Sequence, residues 1–134
     1  MREWHRILNK VLKHGASRND RTGTGTLALF AEQLTFDNSL NFPAVTTKKL
    51  FIRGIIHELI WFLQGASNIK YLVDNDVHIW DEWPYKHYLI KHGKAVPSSS
   101  SEEWTKGNKQ FTEKIKSDDG FAKKWGELGP VYGY

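Results

Sequence analysis

One dense apolar segment, residues 51–64, constrains the fold of this chain more than any other feature. It reads FIRGIIHELIWFLQ and is followed by Gly65, a common helix terminator. Its apolar residues cover more than one stripe at helical spacing, so the sequence predicts a central helix buried on most sides. Glu58 lies inside this segment beside His57. A carboxylate buried there needs a partner or a chemical task, unless the helix turns it outward to solvent.

Length and composition indicate a single globular domain. The chain has 134 residues, of which 40% are hydrophobic and 25% charged, a balance typical of a folded domain with its own core. It contains no cysteine and therefore no disulfide and no thiol nucleophile. The amino terminus, MREWH, lacks the apolar stretch of a signal peptide, and no long uncharged apolar run occurs elsewhere. We therefore expect a cytoplasmic protein without membrane contact.

Two elements are predicted near the amino terminus. Residues 3–14 carry apolar side chains at helical spacing and predict an amphipathic helix that ends at Gly15. Residues 17–26, SRNDRTGTGT, are rich in turn formers and predict a surface loop.

A strand and two short elements are expected further along the chain. The strand should run from Leu27 to Phe36, with a bulge or a kink where the alternation changes phase after Ala31. Residues 44–47 favour β-structure, and a short helix is expected after Ser67, which would act as its N-cap.

The segment 84–125 differs in texture from the rest of the chain. It contains a serine run at 98–101, scattered glycine and proline, and only weak helical periodicity over 111–124, so we expect a peripheral inserted subdomain. It also carries nine lysines against five acidic residues and no arginine. Since arginine is the usual reader of base edges, we interpret this charge as a solvated surface and expect no nucleic-acid partner.

Three features could carry chemistry, and each has a plain structural alternative. Arg21, among the glycines and threonines of its loop, could bind a phosphate, although no P-loop or dinucleotide fingerprint is present. Glu58 could act as an acid or base, or be a partly exposed helix carboxylate. Trp80 and Trp83 could stack on a flat ligand or pack in a core. No spacing resembles a metal site, and the histidines are scattered.

Five blocks of this sequence, in order, resemble the thymidylate synthase family. They are NDRTGTGT at 19–26, FPAVTTKK at 42–49, HELIWFLQG at 57–65, IWDEW at 79–83 and LGPVYG at 128–133. The segment 84–125 is similar to the insertion of the longer family members. The resemblance implies reductive methylation of dUMP to dTMP, in which methylene-tetrahydrofolate supplies both the carbon and the hydride and a cysteine adds to the uracil ring.

The same resemblance implies roles for individual residues. Arg21 would bind the nucleotide phosphate, and Lys48 would lie near the glutamate tail of the folate. Glu58 would hold ordered water and relay protons, and Tyr132 would assist removal of the ring proton. The folate wall would include Ile79, Trp80 and Trp83. Phe51 stands where some members place a histidine near the folate, so that one polar contact is not expected here.

The resemblance also implies an α+β fold, with a β-sheet that carries helices on one face and forms a homodimer through the other. The family's Pro-Cys-His nucleophile motif would lie beyond Tyr134, so we expect this chain to be inactive alone. No metal is implied. Two alternatives remain open at this stage: a pyrimidine hydroxymethylase of the same superfamily, and a non-catalytic remnant that binds only nucleotide or folate. The intact tryptophan block favours the synthase.

Overall fold

A computed structural model describes residues 2–39 and 42–132 of the chain. The fold divides into two compact units, residues 1–50 and 51–134, where the sequence indicated a single domain. Helices dominate, and a small two-stranded sheet accompanies them, which fits the α+β class.

The first unit contains one helix and one β-hairpin. Helix α1 spans Arg2–His14, as its apolar periodicity predicts, and it packs against the hairpin. Strand β1 (Ala16–Arg18) pairs antiparallel with β2 (Thr26–Ala28). Glu32 accepts a salt bridge from Lys10, whose hydrogen bond lowers the pKa of that carboxyl. This ion pair ties the helix to the chain that follows β2.

The strands differ from the sequence prediction at both ends. Residues 16–18 were expected to be mostly loop, yet they form β1 because the glycine-rich turn folds the chain back onto itself. The strand expected from Leu27 to Phe36 ends at Ala28. Ala31 has a φ of 50°, a left-handed conformation that breaks a strand. The predicted change of phase in the alternation therefore lies at a sharp break in the backbone, after the strand has ended. Residues 44–47, which were expected to favour β-structure, form no strand.

Residues 51–132, the described part of the second unit, form five helices. They are α2 (Ile52–Leu63), α3 (Lys70–Asp74), α4 (Glu82–Lys91), α5 (Glu102–Ser117) and α6 (Asp119–Trp125). Helix α2 matches the predicted apolar helix within one residue at each end.

Helix α2 is not buried on most sides, contrary to the sequence prediction. Only Gly54 and Trp61 are buried, because the other described helices of this unit cover a single face of α2. The opposite face leaves several large apolar side chains about half exposed or more, namely Ile52, Ile55, Ile56, Leu59 and Leu63.

The N-cap position of the short helix α3 is Ile69, not the predicted Ser67, and it makes no side-chain capping bond. Asn68, just before it, accepts a hydrogen bond from the Lys70 amide at 2.9 Å through Oδ1. The side-chain amide of Asn68 donates a hydrogen bond to the Ala122 carbonyl at 2.8 Å. The backbone carbonyl of Asn68 accepts a hydrogen bond from the Trp61 indole. Asn68 therefore joins α2, α3 and α6, while the Ser67 carbonyl accepts from Leu128.

The segment 84–125 is folded and contributes most of the larger buried cluster of the second unit. Ser101 caps α5 by accepting from the Trp104 amide, and Asp118 caps α6 by accepting from Phe121. Its buried side chains pack with Ile69 and Val73 of the neighbouring helix; they are Tyr85, Leu89, Trp104, Phe111, Ile115 and Ala122.

The chain after α6 is held against the start of α3. Asn68 and Glu127 form an antiparallel bridge, with the Ile69 amide donating to the Gly126 carbonyl at 2.9 Å. A side chain at Gly126 would place Cβ only 2.6 Å from Asn68 Oδ1, so the close approach requires glycine. This contact positions residues 128–132 beside Trp80.

Candidate functional site

A groove in the second unit gathers three of the aromatic side chains of the recognised blocks. Trp80 and Trp83 form one side and Tyr132 the other, and the volume between them is about 460 Å³. Leu128, Pro130 and Val131 complete the lining. A concave surface with this mixture of aromatic and aliphatic groups suits a flat ligand.

The aromatic rings of the groove meet edge to face. Trp80 lies 6.4 Å from Trp83 and 6.4 Å from Tyr132, at interplanar angles of 72° and 63°. Phe62 of α2 supports Tyr132 from behind at 5.5 Å. Trp83 and Tyr132 are 55% and 86% exposed, so their faces are open to a stacking partner.

Glu58 is joined to this groove through Trp80. The Trp80 indole N–H donates a hydrogen bond to Glu58 Oε1 at 2.8 Å. Helical spacing explains the approach, since Trp61 lies three residues and Phe62 four residues after Glu58 on α2, and both pack on the Trp80 ring. The carboxylate thus lies on the inward face of α2, half-buried, with Oε2 accepting no hydrogen bond from a described residue.

A second carboxylate beside Trp80 escaped the sequence analysis. The Asp81 side chain is 4% exposed, and its Oδ2 lies 2.6 Å from Nδ1 of His78. Among the described residues, Asp81 Oδ1 has no hydrogen-bond partner. Burial raises the pKa of the Asp81 carboxyl, and His78 opposes that shift. The spacing His-x-x-Asp was the available signal, but the sequence alone does not show that this aspartate turns inward.

The Arg21 loop belongs to the first unit and is shaped by Asp20. The Asp20 carboxylate accepts hydrogen bonds from Thr22 Oγ1 at 2.8 Å, from the Thr22 amide at 3.1 Å and from the Gly25 amide at 3.3 Å. These bonds, led by the Thr22 hydroxyl, lower the pKa of Asp20. Arg21 itself is exposed at the tip. The loop is therefore held in shape while its guanidinium group faces solvent.

The structure brings together some predicted site residues and leaves others apart. Trp80, Trp83 and Tyr132 line one groove, and Glu58 is hydrogen-bonded to Trp80 without lining that groove itself. Ile79 is 47% exposed in the same turn but does not line that groove. Lys48 lies exposed on a bend of the first unit. Phe51 is 53% exposed, and its ring lies against the Gly54 backbone.

The chain matches one family over nearly its whole length. The family model described as thymidylate synthase matches residues 2–134. Curated proteins named thymidylate synthase are similar as well: the one from Mycoplasma mobile is 48% identical over 133 residues, and the one from Mesoplasma florum 44% identical over 133 residues. The relative from Malacoplasma penetrans is 47% identical over the same length. This chain belongs to the thymidylate synthase family.

The aligned region covers nearly all of this chain but less than half of each relative. In each of these three comparisons 99% of this chain is aligned, but only 43% of the relative. The chain thus spans less than half the length of the curated relatives it matches.

Two further findings apply to the described residues only. Among them, no helix combines the length and the apolar character that a membrane crossing requires. Nor do residues 2–39 and 42–132 hold three or more His, Asp and Glu side chains grouped to bind a metal ion.

Proposed function

We propose that this chain supplies the amino-terminal part of a thymidylate synthase, which reductively methylates dUMP to dTMP. The observation that carries the proposal is the hydrogen bond between the Trp80 indole and Glu58 at 2.8 Å, at the edge of the aromatic groove. It joins the predicted proton-relay carboxylate to the predicted folate wall, and family membership supplies the reaction.

Glu58 is the proton-relay residue in this proposal. One carboxylate oxygen is occupied by Trp80, which fixes the orientation of the group, and the other is available to ordered water. A carboxylate held in this way beside an aromatic groove can pass a proton between water and a bound pyrimidine. Tyr132, on the far side of the same groove, assists removal of the ring proton.

The aromatic groove is the binding site for methylene-tetrahydrofolate. When bound, this co-substrate supplies a one-carbon unit and a hydride and leaves as dihydrofolate. Trp83 offers exposed ring surface for its flat bicyclic part, beside the partly buried Trp80, and the groove volume of about 460 Å³ admits a ligand of that kind. Ile79, half-exposed in the same turn as Trp80, adds apolar surface outside the groove lining. Lys48 contributes a cation for the glutamate tail of the folate.

Arg21 binds the phosphate of dUMP. The guanidinium group is exposed and can form two parallel hydrogen bonds with a phosphate. Asp20 is hydrogen-bonded directly to Thr22 and Gly25, which fixes the loop conformation. Little conformational entropy should therefore be lost from this loop when the nucleotide binds.

The rest of the enzyme completes the fold in this proposal. It provides the cysteine nucleophile, further strands that form a sheet with helices packed on one face, and the homodimer contact through the other face. Residues 84–125 are the inserted subdomain of the longer family members. The enzyme acts in the cytoplasm and needs no metal.

The proposal is tested with a completed enzyme, in which residues 1–134 are followed by the carboxy-terminal part of the Mesoplasma florum relative. Purified protein is incubated with dUMP and methylene-tetrahydrofolate, and the nucleotide and folate products are separated by chromatography. We expect dTMP and dihydrofolate in equal amounts. A hydroxymethylated nucleotide without dihydrofolate would show the hydroxymethylase instead, and no product from a folded dimer would contradict both.

A further inference from the structure

A second groove lies in segment 84–125, apart from the aromatic groove. It is formed by α4, α5 and the connection between them, has a volume of about 410 Å³, and shares no lining residue with the aromatic groove. Its inner wall contains the buried Tyr85 and Leu89, with Pro97 beside them. Its rim carries Lys94 and Lys106. The groove thus combines an apolar wall with a charged rim.

The hydroxyl group of Tyr85 provides a polar group within the mainly apolar wall of this groove. Tyr85 is only 6% exposed, and its ring packs on Trp104 at 5.0 Å and on Phe111 at 5.4 Å. The hydroxyl reaches the groove beside Gly107, where a Cβ atom would lie 2.0 Å from Tyr85 Oη. It has no hydrogen-bond partner among residues 2–39 and 42–132. The ring is buried, whereas the hydroxyl oxygen is not among the described side-chain oxygens that are closed off from solvent without a partner. The hydroxyl group can therefore exchange water for a ligand group in the groove.

The charges of the groove favour an anion. Burial and the nearby Glu103 carboxylate raise the pKa of the Tyr85 hydroxyl, so this group stays protonated and able to donate. The ammonium groups of Lys94 and Lys106 make no ion pair within the described part of the chain. Glu103 is the one acidic residue of the lining, so the rim carries a net positive charge.

We propose that this groove binds a small organic carboxylate with an apolar body. The carboxylate accepts hydrogen bonds from the Tyr85 hydroxyl and from the ammonium groups of Lys94 and Lys106, and the apolar body lies on Leu89 and Pro97. A carboxylate matches the donors, which include no guanidinium fork or row of backbone amides that would select phosphate. This site is independent of the nucleotide and folate sites.

The test uses 4-fluorobenzoate as probe, followed by fluorine NMR with the full chain of 134 residues and again with the completed enzyme. We expect saturable binding in both proteins. Uncharged 4-fluorobenzamide should bind at least about tenfold more weakly, since hydrogen bonds to a charged group contribute most. Inorganic phosphate, which lacks the apolar body, should not displace the probe at equal concentration.

Four single variants locate the bound probe. Tyr85→Phe, which keeps the ring packing, and Lys106→Gln should each weaken binding about tenfold. Glu103→Gln should strengthen it, because a like charge is removed from the rim. Lys109→Gln is the matched control on α5, outside the groove, and should leave affinity unchanged. Equal affinity for the benzamide, or unchanged affinity in Tyr85→Phe and Lys106→Gln of folded protein, would overturn the proposal, as would absence of binding to the completed enzyme.

Discussion

The indole N–H of Trp80 donates a hydrogen bond to Glu58 Oε1 at 2.8 Å, across a sequence separation of 22 residues. One side chain comes from the apolar helix α2 and the other from the turn before α4. The bond uses one oxygen of the carboxylate and leaves the other for water. It is the structural reason to expect Glu58 to act on protons and Trp80 to act through Glu58.

Replacing Glu58 by Gln should lower kcat of the completed enzyme by about a hundredfold or more, because general acid-base catalysis typically contributes that much. The Kd for dUMP should change far less, because the proposed phosphate contact of Arg21 is unaffected. Steady-state kinetics and equilibrium titration with dUMP separate the two effects. A fall in kcat smaller than about tenfold would show that Glu58 is not the relay.

Trp80→Phe should keep the ring contacts with Trp61 and Phe62 but remove the hydrogen bond to Glu58. We expect kcat of the completed enzyme to fall about tenfold, the ordinary effect of losing a hydrogen bond to a charged group. Trp125→Phe is the matched control, since that half-buried tryptophan lies outside the groove. Equal kinetic losses in the two variants would indicate a general packing effect and contradict the positioning role of Trp80.

Asp81 should make the stability of the completed enzyme depend on pH. Its pKa is raised by burial above the ordinary value of 3.8, so its protonated form favours the folded state. That contribution is fully present below about pH 4 and is lost as pH rises through the folded-state pKa. Asp81→Asn should remove this decrease in the free energy of unfolding with rising pH. The measurement is urea unfolding of the wild type and the variant between pH 4 and 6.5, and the comparison is the difference between their free energies of unfolding at each pH.

His78→Gln provides the complementary measurement for Asp81. His78 opposes the rise in the Asp81 pKa, so its removal should raise that pKa further and move the loss of stability to higher pH. Identical pH profiles for wild type, Asp81→Asn and His78→Gln would contradict a titrating Asp81.

Phe111→Ala should destabilise the completed enzyme by about 3–5 kcal/mol, the usual cost of removing a buried phenylalanine. Phe111 is 4% exposed and packs with Tyr85, Tyr88 and Phe121. Lys109→Ala, an exposed change on the same helix, should shift the free energy of unfolding by less than about 0.5 kcal/mol. Urea unfolding measures both. Similar small effects in the two variants would support a peripheral role for segment 84–125 in the completed enzyme.

The chain of 134 residues alone should form no covalent adduct with fluorinated dUMP in the presence of methylene-tetrahydrofolate. It contains no cysteine, and a serine without an adjacent base is a poor nucleophile toward the pyrimidine ring. Intact-mass spectrometry should show an unchanged mass, while the completed enzyme gains the mass of both ligands. A stoichiometric adduct on the chain alone would refute the argument.

The sequence by itself determined the two strongest helices and the residues proposed for the site. Apolar spacing placed α1 and α2 within one residue of their ends, because helical periodicity is a local property. The blocks that resemble thymidylate synthase also marked Glu58, Trp80, Trp83 and Tyr132 before any geometry was known.

Only the tertiary structure decided which faces and partners these residues have. The single buried face of α2 and the hydrogen bond from the Asn68 side chain to the Ala122 carbonyl depend on parts of the chain distant in sequence. The burial of Asp81 is likewise visible only in the folded chain. The apolar residues of segment 84–125 are sparse, yet a few large aromatic side chains spaced along α4 to α6 suffice to form a buried cluster. Apolar periodicity predicts the secondary structure of a segment and the position of its apolar face. Whether that face is buried depends on which other segments pack against it.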